Sequence, residues 1–100
     1  MKMYIFVKKS LKSHKVVGVA HGVLIAHLKF SDNPDYQDWL KNSFKKVICE
    51  VTDEEFELLK TNENYIVVTE STLGHMETSL VFCPRKTWHE SFKKFPLMKI

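Results

Sequence analysis

Two glycines, Gly18 and Gly22, stand four residues apart inside the apolar stretch from Lys15 to Lys29, KVVGVAHGVLIAHLK. The stretch has the length and periodicity of a helix, where a glycine costs about 1 kcal/mol against alanine. A pair on one side therefore points to a close approach by a sheet, another helix or a ligand. The helical period separates two faces. Val16, Val19, Ala20, Val23 and Leu24 recur at the spacing of a packed stripe, while His14, Gly18, His21, Gly22 and Ile25 share the other side. A lysine-rich loop, Lys8 to His14, leads into the helix, so Lys15 and His21 are candidates for a polar site at the junction.

The rest of the chain alternates strand and helix signals. Met3 to Val7 is a continuous apolar run rich in β-formers, expected as a central strand covered on both faces. Ser31-Asp32-Asn33-Pro34 opens a short second helix, with Asp32 or Asn33 as cap and Tyr36, Trp39, Leu40 and Ser43-Phe44 turned inward. Lys46 to Val51 reads as the second strand, and Thr52-Asp53-Glu54-Glu55 as a capping box before a helix reaching about Thr61. Tyr65 to Thr69 is a third strand, Glu70 to Glu77 a loop, and Thr78 to Cys83 a fourth strand ended by Pro84.

The order β-α-α-β-α-β-β joins the first three strands through helices and the last two through a hairpin. The fold expected over residues 1–84 is a three-layer α/β domain: a mixed four-stranded sheet with helices on both faces. Residues 85–100 form a basic, aromatic extension packed on it. Trp88, Phe92 and Phe95 have the spacing of a short docked amphipathic helix. In a second reading, Arg85, Lys93, Lys94 and exposed aromatics touch nucleic acid.

One hundred residues with 44% hydrophobic side chains form one domain able to bury a core. Cys49 and Cys83 each lie in an apolar run, the place of free thiols in a cytoplasmic protein and not of a disulfide framework. With no leader and no apolar run near the roughly 18 residues of a membrane span, neither secretion nor membrane insertion is expected. The net charge of +3 is small, but its distribution is uneven. Lysines crowd the first fifteen residues and basic residues the last sixteen, with acids from Glu50 to Glu63 between, so a fold that joins the ends would be electrostatically two-sided.

No zinc ligand set, phosphate loop or nucleophile elbow occurs, and neither a metal nor a cofactor is expected. The remaining candidates are Lys15, His21, Glu70, Thr72, His75 and Thr78. Each has an ordinary structural reading, such as a solvated helix-start lysine or a loop acid paired with a lysine. If the first and third strands run parallel, Glu70 and the Lys8 to Lys15 loop emerge at one edge. A lysine, a histidine and a carboxylate meeting there could position a water or a developing oxyanion.

The text Ser13-His14-Lys15-Val16-Val17-Gly18-Val19-Ala20-His21-Gly22 resembles the first helix of the archaeal and eukaryotic class of peptidyl-tRNA hydrolases. That family has a GK segment, a small-residue-rich turn and a His-Ala pair. Trp39, Lys46-Val47-Ile48, Asp53-Glu54-Glu55 and Val81-Phe82-Cys83-Pro84 match further family features in kind. The resemblance covers residues 3–84 and implies metal-independent cleavage of the ester between a peptide and its tRNA. It implies catalytic roles for Lys15, His21, Glu70 and either Thr72 or Thr78, with Lys8, Lys9, Lys12, His14, Gly18, Gly22 and His75 near substrate. Lys15 and His21 would orient the substrate and Glu70 would aid the water. Where the family has a DxGxTQ loop, this chain reads Glu70-Ser71-Thr72-Leu73-Gly74-His75-Met76-Glu77-Thr78. The alternative is a non-catalytic module of the same fold that binds RNA, nucleotide or a protein partner through its basic face, as monomer or homodimer.

Overall fold

The computed structural model describes residues 1–99. The chain runs β1 (Lys2–Lys8), α1 (Lys15–Phe30), α2 (Pro34–Asn42), β2 (Lys45–Val51), α3 (Asp53–Leu59), β3 (Tyr65–Glu70) and β4 (Met76–Phe82). Short 3-10 turns occupy Lys9–His14, Ser71–Leu73 and Glu90–Lys94. The sheet order is β2-β1-β4-β3. β1 is parallel to β2 and antiparallel to β4, and β4 is antiparallel to β3. Thus β1, β2 and β3 point the same way and end at one edge. This is the α/β fold expected, a mixed four-stranded sheet with helices.

β1 is covered on both faces because both of its alternating sets are apolar. Met3, Ile5 and Val7 join Val19, Ala26, Tyr36, Trp39, Val68 and Val81 on the side of α1 and α2. Tyr4 and Phe6 join Phe56, Leu80, Phe82 and Phe92 on the opposite side. The caps form as the residue types demand: Asn33 accepts from the amides of Asp35 and Tyr36, and Thr52 and Glu55 complete a reciprocal capping box. Cys49 and Cys83 are free and buried, and burial pushes both thiols up to about 11. No helix among the described residues is long and apolar enough to cross a membrane.

α1 is rotated relative to the expected stripe. Its buried residues are Gly18, Val19, Gly22 and Ala26, whereas Val16 and Leu24 are 54% and 63% exposed and Ala20 is also exposed. The glycines decide this. A Cβ on Gly18 would lie 3.1 Å from Thr78 Cβ, and one on Gly22 would lie 2.7 Å from Val81 Cγ2. The bare backbone meets β4 directly, and Ser79 Oγ donates to the Gly18 carbonyl at 3.0 Å. The close approach inferred from the glycine pair is thus to the sheet.

Two further expectations are corrected. Leu40 and Phe44 are 41% and 57% exposed, because the nine-residue α2 rests on the core through Tyr36 and Trp39 alone. Phe44 takes φ 65° just beyond that helix, where the Lys46 ammonium stacks on its ring. The extension after Pro84 is also not one helix. Beyond the 3-10 turn at Glu90–Lys94 it runs beside β2, with Glu50 N–H donating to Pro96 O at 3.1 Å and Met98 N–H to Ile48 O at 2.9 Å. Phe92 is buried, and Trp88 and Phe95 are half-buried against Tyr4 and Phe6, so these aromatics are not displayed for base stacking. They cover a sheet face that the seven-residue α3 is too short to cover alone.

Candidate functional site

The C-terminal ends of β1, β2 and β3 bring three segments to one edge: the basic turn Lys9–His14, the β2–α3 junction and the loop that follows Glu70. Two charged contacts organise it.

In the first, Glu50 is 6% exposed and its Oε1 accepts from Lys15 Nζ at 2.9 Å and from the Lys99 amide at 2.8 Å. Lys15 Nζ also donates to the Lys99 carbonyl at 3.0 Å. The Lys99 amide, then the Lys15 ammonium, hold the Glu50 carboxyl below the usual carboxylate range.

In the second, His21 Nε2 stands 2.8 Å from Glu70 Oε2. Glu70 is 8% exposed, and its Oε1 accepts from the Thr72 amide at 3.2 Å and the Thr72 hydroxyl at 3.1 Å. These donors, aided by the neighbouring imidazole, hold the Glu70 carboxyl below its ordinary range. The His21 side chain is half exposed. Its ring N–H does not point along the line to Oε2, which receives no directed hydrogen bond among the described residues. Glu70 is therefore fixed through one oxygen and presents the other beside an accessible imidazole.

The structure thus unites His21, Glu70 and Thr72 but sends Lys15 elsewhere. Six residues at about 100° each leave Lys15 and His21 about 120° apart around the helix, and they meet different carboxylates, Glu50 and Glu70. Thr78 is buried, donates from Oγ1 to the Val68 carbonyl at 3.2 Å and packs on Gly18. Gly18 and Gly22 face the sheet and not the surface. His75 is exposed at the turn between β3 and β4, with φ 60°. Lys9, Lys12 and His14 are exposed on the basic turn. Lys8 extends over the Phe56 ring.

A cleft of about 450 Å³ lies between the basic turn and the loop after β3, lined by Lys8, Ser10, Leu11, His14, Asp53, Leu73 and Met76. A second, of about 310 Å³, is lined by Lys12, Ser13, Lys15, Val16 and Lys99. The chain ends do meet, but the edge is not uniformly basic: Glu50 lies under Lys15, and Ser10 donates to Asp53 at 2.8 Å. Among the described residues, no three His, Cys, Asp or Glu converge as metal ligands.

Sequence reasoning missed Glu50. The available signal was a lone acid inside the apolar run of β2, a position that requires a cation or several donors. Compared with known proteins, the chain matches no protein-family model and no curated protein.

Proposed function

We propose that this chain is a metal-independent hydrolase of the peptidyl-tRNA hydrolase kind, acting in the cytoplasm on an ester linked to RNA or to a nucleotide. The observation that carries the reading is the 2.8 Å contact of His21 Nε2 with the buried, Thr72-held carboxylate of Glu70. A carboxylate beside one nitrogen of an exposed imidazole can offset the charge that develops as the other nitrogen, Nδ1, takes a proton as a general base. A carboxylate held below its ordinary range is a poor proton acceptor at neutral pH but a good partner for imidazolium.

In this reading His21 Nδ1 takes a proton from water as the water oxygen bonds to the ester carbonyl carbon. The tetrahedral intermediate then breaks its bond to the ribose oxygen, which leaves with the proton from His21. Thr72 positions Glu70. Lys9, Lys12 and His14, exposed beside the cleft, attract the phosphates. Lys15 anchors the basic turn through Glu50 instead of touching substrate.

The test is peptide release from a peptidyl-tRNA. Turnover by the wild type, lowered about 100-fold or more in His21→Ala and in Glu70→Gln, supports the reading. Absence of wild-type turnover, or turnover unchanged from wild type in both variants, overturns it. The burial of Lys15 against Glu50, which removes one cation from any catalytic cluster, favours a second reading: a module that binds RNA without cleaving it. RNA affinity that falls steeply with salt, without turnover, would establish that alternative.

A further inference from the structure

We propose that the pocket beside Trp88, at the N-terminal end of β1, binds a phosphate group carried by a small molecule, either free or as an ester. Lys2, Tyr4, Lys86, Thr87, Trp88 and Lys93 line it, and it encloses about 270 Å³. Lys8, which borders the candidate cleft, lies six positions further along the strand, about 20 Å away, so the two sites are separate.

Lys2 and Arg85 stand directly opposite each other in an antiparallel bridge, with the Arg85 amide donating to the Lys2 carbonyl at 3.4 Å. Opposed residues of such a pair project to one face, where like charges repel. Tyr4, two positions from Lys2 in β1, lies on that same face. Among the described residues, neither Lys2 nor Arg85 forms an ion pair. Lys86 is exposed beside them. Lys93 meets Glu90 at 3.2 Å, but both side chains are more than half exposed, and a surface pair of this kind contributes little. The cations therefore gather with no carboxylate between Lys2 and Arg85, and a bound anion would offset their repulsion.

Trp88 Nε1 is buried with no hydrogen-bond acceptor among the described residues, whereas Trp39 Nε1 donates to the Lys45 carbonyl at 2.7 Å. A buried N–H without an acceptor costs free energy, and an oxyanion in the pocket that Trp88 lines is a source of the missing oxygen. The Trp88 ring is already packed by Arg85, with Cζ 4.1 Å from its centroid, and by the rings of Tyr4, Phe82 and Phe92. The pocket thus reads charge in preference to a stacked base. Phosphate matches it, since a phosphate monoester carries a charge of about −1.5 to −2 at neutral pH and suits the fork of an arginine. The volume lies just below the roughly 300–1,000 Å³ of common ligand sites, which limits the ligand to the size of a phosphosugar.

The test is titration of the full chain with inorganic phosphate and with ribose 5-phosphate at constant ionic strength, read from the two tryptophan indole N–H signals in the proton–nitrogen NMR spectrum. The Trp88 signal should shift saturably with a dissociation constant of about 1 mM or tighter, while the Trp39 signal stays in place. Arg85→Gln should weaken binding at least tenfold, and Lys41→Gln, on α2, should leave it unchanged. If Arg85→Gln fails to fold, the Lys2→Gln/Lys86→Gln double variant, changed at exposed positions, gives the same readout. Tighter binding of ribose 5-phosphate supports an ester as the ligand, and equal binding supports free phosphate. No saturable shift of the Trp88 signal overturns the proposal, as does affinity unchanged in the Lys2→Gln/Lys86→Gln variant. A shift produced by a single-stranded RNA but by neither small phosphate also overturns it and assigns these cations to a polymer surface.

Discussion

Gly22 lies so close beneath Val81 that a single added carbon would come within 2.7 Å of its Cγ2. Glycine to alanine normally stabilises a helix interior by about 1 kcal/mol. Here the overlap outweighs that gain, because Val81 is fully buried and cannot move aside. Gly22→Ala is expected to destabilise the fold by about 1–3 kcal/mol in urea unfolding, and Gly18→Ala, at 3.1 Å from Thr78 Cβ, by less. An increase in stability for Gly22→Ala would contradict the packing.

Lys12 adopts φ 54°, ψ −117°, a conformation that suits glycine and strains a side chain. Lys12→Gly should raise stability by about 1 kcal/mol. Because Lys12 is exposed on the basic turn, the proposed RNA binding predicts that the same change weakens affinity for RNA and reduces its salt dependence. Thermal unfolding and binding titrations at several salt concentrations separate the two effects.

Glu50 and Glu70 are both held below the ordinary carboxylate range in the folded chain. The unfolded chain therefore takes up protons first as pH falls, so the stability these groups contribute is complete above about pH 4.3 and is lost below it. Urea midpoints should be flat from pH 7 to 5 and drop from 4.5 towards 3. The Glu50→Gln/Glu70→Gln double variant should show a shallower drop, and an equally steep one would mean that other carboxylates carry the effect.

Phe92 is 2% exposed and its ring meets Phe6 and Phe82 with centroids 5.8 and 5.2 Å apart. Phe92→Ala should cost about 3–5 kcal/mol, the loss expected of a core aromatic and not of a surface extension. Chemical denaturation measures it, and a loss below about 1 kcal/mol would mean that the extension docks only weakly.

Cys49 and Cys83, with thiols pushed up to about 11, should not react with a thiol reagent at pH 8 until the chain unfolds. Ellman titration with and without denaturant tests this, and rapid labelling of the folded chain would contradict their burial.

The sequence disclosed what depends on local chemistry. The unbroken apolar run of β1, the Thr52–Glu55 box and the Asn33 cap each follow from residue types at fixed spacing. The rotation of α1 was not legible from hydrophobicity, because Val16 and Leu24 are as apolar as Val19 and Ala26. Only the missing side chains of Gly18 and Gly22 distinguish the two sides. The spacing of Trp88, Phe92 and Phe95 resembles a helix, yet an irregular path also turns all three rings onto the sheet. At the site, the meeting of Glu70 with His21 was legible from strand directions. The partner of Lys15 was not, since it lies 35 positions away in β2.

That last contact bears on the order in which the molecule forms. Lys15 is held by Glu50 and by the carbonyl of Lys99, 35 and 84 positions away. Contacts of such separation are reached only after the intervening loops have closed. α1 and the β3–β4 hairpin can arise from neighbouring residues, whereas the full set of contacts to Lys15 needs both β2 and the extension beside it in place. The basic turn is therefore held by parts of the chain that lie far from it in sequence.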